Sequence, residues 1–558
     1  MDKALPTTLG LMLCWVVAGC SAALSGADPQ LAPDAGDPSP DQQLIAQPVC
    51  GDGTCNGNER CDSCQADCGR CGDPTPSCGD GSCSGEDCAS CPADCGACGP
   101  VARCGDGRCS YASENCQSCA SDCGACNAGG GALYYASANG AGDGKSSTSP
   151  FRIADFWKVA KPGDTLLLLD GHYVGASSMI NPPDGLAGTD QQPITVMALN
   201  DGKVDIDGEG THRPVTLGGN PHFVLRGFNA HSAGPANAHV VSINRSDYSK
   251  VYRVVAWDAA PDGNNNIFGV HNSNFNLLED CAGFGAARKV FSNAQGGNDL
   301  TCRRCFGRWE GNHASGPKHT FATSYNSYRF TCENCIGTWD SILMKQSYDL
   351  LEYDGSLVSP LEHFDNYEVD MPLGIFSHDS PDGGNPRETH NKILGSIAFL
   401  RASDRWSNGW RTWFGLITMS LPEIEIRDTL AFIEPAAYLA YTTVALEDGG
   451  SNNTAHNMTV IGGAGPKIAS GWSQSDNYAS DNCNQLKADG AIVNPSIAGV
   501  QGGATIVNRI VEGKLTDKPL WPWPMNQRIL DAMTEAKRKP LDVTQTVFGL
   551  CGGQVPAL

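Results

Sequence analysis

In a chain of 558 residues with 61 acidic and 38 basic side chains, cations gather in one window, 286–330. It holds Arg288, Lys289, Arg303, Arg304, Arg308, Lys318 and Arg329 against Asp299 and Glu310, a local net of +5 in a chain of net −23. An amine beside a guanidinium suits carbon-acid chemistry. The guanidinium neutralises a carboxylate and so acidifies the neighbouring C–H, and the amine takes that proton. Lys289 is the candidate base and Arg308, nineteen residues on, the candidate neutraliser, with His313, Lys318 and Tyr325 as further acids or binding groups. Arg288, Asn298 and Arg303 add donors for an anionic ligand, and Trp309 and Trp339 add two flat faces for stacking. The polar turns QGGN (295–298) and YNSY (325–328) lie in or beside the same stretch. Ordinary solvated strand ends would carry the same cations, and two rim tryptophans packed on each other would give the same spacing.

Other chemistries leave no comparable pattern. The sequence contains no GxSxG, HExxH, P-loop or dinucleotide fingerprint. The acidic pairs Asp379/Asp382 and Glu362/Asp365 occur at no spacing that singles them out for acid–base work. A net charge of −23 repels nucleic acid and anionic membrane surfaces, which removes both as principal partners. No motif demands a cofactor, and no metal ligand is assigned.

The elements that must position these residues are short strands. Phe223–Phe228, Val251–Ala256, Phe275–Cys281, Leu300–Cys305 and Phe330–Cys335 recur 20 to 32 residues apart, separated by Asn, Gly and Asp turns. That period means a stacked array. LTCRRCFGRW (300–309) returns as FTCENCIGTW (330–339), so Cys302 should lie over Cys332, and Cys305 over Cys335 with Cys281 in the same column. The C-x2-C spacing also suits zinc, but inside a structural repeat it reads as a buried cysteine ladder, disulfide-bonded where geometry permits.

The segment 133–173 alternates strand, short helix, strand and turn, and resembles the N-terminal cap of right-handed parallel β-helix proteins, above all polysaccharide lyases. LWPWPM (520–525) and the amphipathic stretch from Asn526 to Lys537 resemble a C-terminal cap closing the open edge. The expected architecture is all-β: a right-handed parallel β-helix over 131–555 with N- and C-terminal helical caps, preceded by a small disulfide-rich stalk. In the chondroitinase-B and alginate-lyase type that this resembles, a lysine and an arginine on successive coils act on acidic polysaccharide beside Ca²⁺. The resemblance therefore implies a polysaccharide lyase working by β-elimination through Lys289 and Arg308. The E-x-E pattern that would hold Ca²⁺ is absent, and Glu279-Asp280 is the nearest acidic pair. The alternative is a non-catalytic surface adhesin or envelope protein that only binds the polymer.

Three six-cysteine modules fill 50–126: Cys50, 55, 61, 64, 68 and 71; Cys78, 83, 88, 91, 95 and 98; Cys104, 109, 116, 119, 123 and 126. They resemble C-G-D-G repeats of exported proteins from predatory and soil bacteria. With almost no aliphatic residues they need covalent links, disulfides in an exported chain, with zinc as the competing reading. Their repeated carboxylates would also suit weakly held Ca²⁺. Segment 20–130 has sixteen acidic and four basic residues, as a solvated stalk would. At the start, an apolar run ends in Val17-Ala18-Gly19-Cys20, resembling the lipobox of bacterial lipoproteins. It implies a signal peptide over 1–19, a lipid on Cys20, an acidic proline-containing tether over 20–49, and anchoring to the bacterial envelope at the outer membrane or cell surface.

Overall fold

The computed structural model describes Cys104 and, with gaps, residues 114–550. Outside the described residues lie 1–103, 105–113, 313–318, 341–348, 361–372, 379–388, 402–413, 435–443, 481–507, 551–558 and several shorter stretches. Cys20, His313, Lys318 and the first two cysteine modules fall among them. The chain divides into two units, Met1–Pro100 and Val101–Leu558, and the described residues all belong to the second.

The repeating strands stack into three long parallel sheets, A, B and C, of twelve, eleven and nine strands. Each coil visits all three: Leu277–Glu279 in A, Ala282–Ala286 in B and Lys289–Ala294 in C are one coil, and Thr301–Arg303, Phe306–Gly311 and His319–Ser324 the next. The chain is a right-handed parallel β-helix. Inside it like residues stack on like. Phe268, Phe291, Phe321 and Phe376 follow one another at ring-centroid distances of 4.8, 4.7 and 4.9 Å. Cys302 pairs in register with Cys332, as the repeat predicts. Cys281, Cys305 and Cys335 form the second column, each passing its carbonyl to the coil after it. All five are free thiols at 0% exposure, so the expected disulfides do not form, and burial pushes the thiols of Cys281, Cys302, Cys305 and Cys335 above their ordinary range.

A feature the sequence does not advertise turns the chain from sheet A to sheet B. Arg253, Asp280, Arg304 and Asn334 occupy that corner on four successive coils, and Asp428 and Asn457 on two more after a coil where Gly395 takes it, with φ between 50° and 56° for the non-glycine residues. Non-glycine residues pay about 1–2 kcal/mol for this conformation. Here each N–H is satisfied by the next coil, as when Asp280 N donates to the Arg303 carbonyl at 3.0 Å. The corner thereby projects a column of polar side chains.

The helices expected at the two ends take different positions. At the first coil the helix Ile153–Phe156 buries Ile153 and Phe156 completely, with Phe156 against Tyr134 and Trp157, which is the expected N-terminal plug. The C-terminal helices Asn526–Glu535 and Val543–Gly549 lie along the outer face of sheet B instead of closing the last coil. Trp521, Trp523, Ile529, Met533 and Phe548 bury there against Val255, Trp257, Phe284, Phe306, Phe399 and Phe432. The cause is that sheet B from Val255 onward carries apolar residues on its outer face as well as its inner one, and an amphipathic helix covers an apolar strip. Cys104–Cys119 and Cys116–Cys126 are disulfides, and Cys123 is disulfide-bonded too. This third module is no free stalk: Cys116 packs on Leu167 and Met197, and Asn115 donates to Asn200 at 2.7 Å.

Candidate functional site

The site is built on the outer side of sheet C. Strands Asn266–His271, Lys289–Ala294 and His319–Ser324 lie on consecutive coils, with Lys289 in register between Asn266 and His319. In the first two strands consecutive residues both enter the core: Ile267 with Phe268 and Val290 with Phe291, all at 0–1% exposure. Gly283 of sheet B makes room for them, since a Cβ there would meet Val290 Cγ1 at 2.6 Å and Ile267 Cγ2 at 3.3 Å. One extra inward residue resets the alternation, leaving Lys289 and Ser292 outward with Gly269 and His271. Lys289, 4% exposed, donates from Nζ to Ser324 Oγ at 3.0 Å and stands 5.8 Å from the centroid of the Tyr325 ring.

Two histidines complete this face. His239 crosses over Gly269, where a Cβ would lie 2.8 Å from its Cδ2, so only glycine leaves the ring its place. The backbone N–H of Asn266 donates to His239 Nδ1 at 3.0 Å, which puts the proton of the neutral ring on Nε2. His271 packs edge-on to it at 4.8 Å. Burial, then the charges of Arg213 and Lys289, lower the His239 imidazole to about 4. Burial, then His239 and Lys289, lower His271 to about 3. Both rings are neutral at pH 7. Beside them a depression of about 510 Å³ is lined by Asn264, Gln295, Gly296, Tyr325 and Asn326. Asn264 precedes its sheet C strand, whereas Gln295 and Tyr325 follow theirs, so the lining comes from the turns that flank the sheet.

Of the candidates from sequence, Tyr325 lines this depression, and Lys289 stands beside its ring without lining the depression itself. Asn298 sits in the adjoining turn, donating to Asn274 Oδ1 at 2.9 Å and the Gly296 carbonyl at 3.0 Å. Arg288 is half-buried at the turn into the Lys289 strand. The others lie elsewhere. Arg308 points outward from sheet B, 1% exposed, with Nε 2.7 Å from Glu310 Oε1 and Nη1 2.8 Å from the Lys539 carbonyl, so it is no neutraliser for a ligand beside Lys289. Arg303 lies on sheet A between its register partners Glu279 and Glu333, at 2.9 and 2.7 Å. Trp309 and Trp339 pack on each other at 4.6 Å, tilted by 40°, but inside the coils, 1% exposed, donating to the Ala287 carbonyl and Thr320 Oγ1. They offer no face to a ligand. His313 and Lys318 lie outside the described residues.

The expected convergence of seven cations fails for a geometric reason. One coil runs round all three sheets, so a 45-residue window samples the whole circumference. Arg304 is bound to Asp280 and Glu279 at the A–B corner, and Arg329 to Asp299. The same pairs test the Ca²⁺ that the resemblance implies. Glu279 and Asp280 are engaged by Arg303 and Arg304 away from sheet C, and the depression is lined by amides, so the residues present do not fit that ion. Among the described residues the one cluster compact enough for a metal is Cys104, Cys119 and Asp122, two of whose sulfurs already form a disulfide. His239, His271 and Ser324 were not singled out by sequence. Both histidines precede the cationic window, joining it only because coils stack.

A second titratable cluster lies at the outer edge of sheet B. His172 and His231 both bond Asp205, at 2.6 and 3.0 Å, and both approach Asp207, at 3.5 and 3.6 Å. His231 also stacks on Trp257 at 4.4 Å. Burial opposes the His231 imidazolium, but its hydrogen bond to Asp205 and the charges of Asp205, Asp207 and Asp258 raise it on balance above its ordinary range.

No protein-family model matches the chain, and no curated protein does. Among solved structures it is similar to a pectate lyase at 15% identity, over 72% of this chain and 91% of that one, with a TM-score of 0.40. It is similar to an alginate lyase from a Paenibacillus species at 12% identity, over 62% and 95%, with a TM-score of 0.35. A surface adhesin of Streptococcus pneumoniae is similar at 10% identity, over 62% and 89%, with a TM-score of 0.33.

Proposed function

We propose that the outer face of sheet C binds an acidic polysaccharide, on a protein exported and held at the bacterial envelope through an acylated Cys20. One observation carries the binding reading: Lys289 donates to Ser324 and stands beside the ring of Tyr325, which lines the depression flanking the sheet. Arg303, Arg304, Arg308 and Arg329 are committed to carboxylates on other faces, whereas Lys289 is held on this one. A largely buried positive charge attracts a sugar carboxylate more strongly than a solvated one, because the effective dielectric is lower. Calorimetric titration with acidic polysaccharides tests this. The parent should bind, and Lys289→Met, with its fold verified by circular dichroism, should bind at least tenfold more weakly. Unchanged affinity would overturn the reading.

A second reading, cleavage by β-elimination, is favoured by the closeness of Lys289 to Tyr325. The neutral amine would take the C5 proton of a uronate, the C5–H electron pair would form the C4–C5 double bond, and the C4–O4 pair would leave with the oxygen as it takes the phenolic proton. Arg308 has no part in it. Parent protein that releases conjugated unsaturated ends, and Tyr325→Phe that does not, would establish cleavage. Tight binding without such product selects the adhesin.

A further inference from the structure

We infer that the outer edge of sheet B carries a second site, in which Ser232, His231 and Asp205 act as nucleophile, base and orienting carboxylate for hydrolysis of a short-chain carboxylic ester. It uses no residue of the sheet C site and stands or falls apart from it. Asp205 lies on the strand Val204–Asp207 and His231 on Asn229–His231, one coil later. Asp205 is 9% exposed, and its Oδ2 is 3.0 Å from His231 Nε2. A carboxylate only accepts, so Nε2 carries the proton of the neutral ring and Nδ1 is left to accept from Ser232 Oγ, 2.8 Å away. Neighbouring side chains on a strand point to opposite faces; the left-handed turn at Ser232, φ 54°, is what brings its hydroxyl back to the histidine. Trp257, the register partner of His231 on the following coil, stacks on the ring at 4.4 Å and 9° and holds its plane. Ser232 keeps part of its surface exposed. Around it the groups are polar, with Asp207 at 3.6 Å from Nδ1 and His172 sharing Asp205 at 2.6 Å, so a long acyl chain finds nothing to pack on.

Ser232 Oγ would attack the carbonyl carbon as its proton passes to Nδ1 and the carbonyl π pair moves onto oxygen. When that pair returns, the bond to the alcohol oxygen breaks and this oxygen takes the proton from Nδ1. Water then repeats both steps on the acyl-serine, releasing the acid and restoring the hydroxyl, while Asp205 stays ionised beside the imidazolium. The N–H groups of Ser232 and Ala233 donate to the Trp257 and Asp258 carbonyls at 3.3 and 3.0 Å and do not serve the oxyanion. A lost oxyanion donor costs about 10²–10³-fold, so turnover should be slow.

The test treats the full chain with a fluorophosphonate and follows its hydrolysis of p-nitrophenyl acetate as pH rises. Peptide mapping should place the phosphonyl group on Ser232. The rate should climb through the folded value of His231, which burial lowers but Asp205, Asp207 and Asp258 raise on balance; His172 and, at the end of the C-terminal helix, Glu535 are the other titrating groups in range. Ser232→Ala should lose the hydrolysis. His231→Gln and Asp205→Asn, assayed at about pH 8 with the fold verified by circular dichroism, should slow labelling and hydrolysis by about 10²–10⁴-fold. A parent protein that takes no label on Ser232, or that hydrolyses the ester no faster than Ser232→Ala, would overturn the inference, and so would labelling that His231→Gln leaves undiminished.

Discussion

Sheets B and C are built from the same coils, yet their outer faces are put to opposite uses. On sheet B the outward residues from Val255 onward are largely apolar and pack with the C-terminal helices, and the guanidinium among them, Arg308, is sealed in with Glu310 and Arg538. On sheet C the outward residues are small or polar, Gly269, Ser292 and Ser324, and the cation among them, Lys289, stands beside Tyr325, which lines a depression. Lysine and arginine nineteen residues apart in sequence thus stand on different faces, the arginine sealed in an ion pair and the lysine proposed to meet a ligand. What separates them is which sheet each strand enters, and that is a property of the coil.

The comparison predicts the largest effect at Arg308. Its removal leaves Glu310, 0% exposed, with one partner fewer in a region where burial already disfavours the carboxylate. Arg308→Ala should cost about 3–5 kcal/mol in denaturant or thermal unfolding while leaving glycan affinity unchanged. Lost affinity at full stability would break the distinction between the faces.

Next in size is acid sensitivity on sheet C. His239 and His271 are held neutral at about 4 and about 3, below the value of about 6.5 for an unfolded histidine. The unfolded chain therefore binds more protons between those values, and stability is present above about pH 6.5 and falls as pH drops towards 4. For His239 alone the loss is about 3 kcal/mol, and His271→Asn should flatten the pH profile of the melting temperature. An unaltered profile would mean these rings do not titrate with folding.

Smaller still is the effect of Lys289→Met on glycan binding, about 1.4 kcal/mol for the tenfold minimum. The least effect falls on the sheet B cluster and has the opposite sign. His231 sits above its ordinary value, so it stabilises the fold at pH below about 6.5 and the contribution is lost as pH rises through the folded value. His231→Gln should lower stability at pH 5.5 more than at pH 8, and equal losses at both would contradict the assignment.

Much of the fold was legible because it repeats. The duplicated decapeptide at 300–309 and 330–339 located two adjacent coils and the register of Cys302 on Cys332. The N-terminal plug was legible from a short amphipathic stretch between strands. Less could be read where the information is not local. Arg253, Asp280 and Arg304 adopt left-handed corners that no glycine marks. Trp309 alternates with Arg308, and nothing in the pair itself says which of the two points inward. An amphipathic C-terminal segment declares that it covers something apolar, without saying whether that is the last coil or the side of sheet B. In the site, Lys289 and Tyr325 could be read because they share the cationic window, whereas His239 and His271 come from earlier coils.

The most direct measurement of the central claim is hydroxyl-radical footprinting of the full chain with and without a saturating acidic oligosaccharide. Tyr325 lines the sheet C depression, whereas Tyr248 and Phe275, 41% and 50% exposed, stack on each other at a corner outside its lining. The account predicts protection of Tyr325 with Tyr248 and Phe275 unchanged. Protection confined to Tyr248 and Phe275, or binding that leaves Tyr325 as reactive as before, would contradict it.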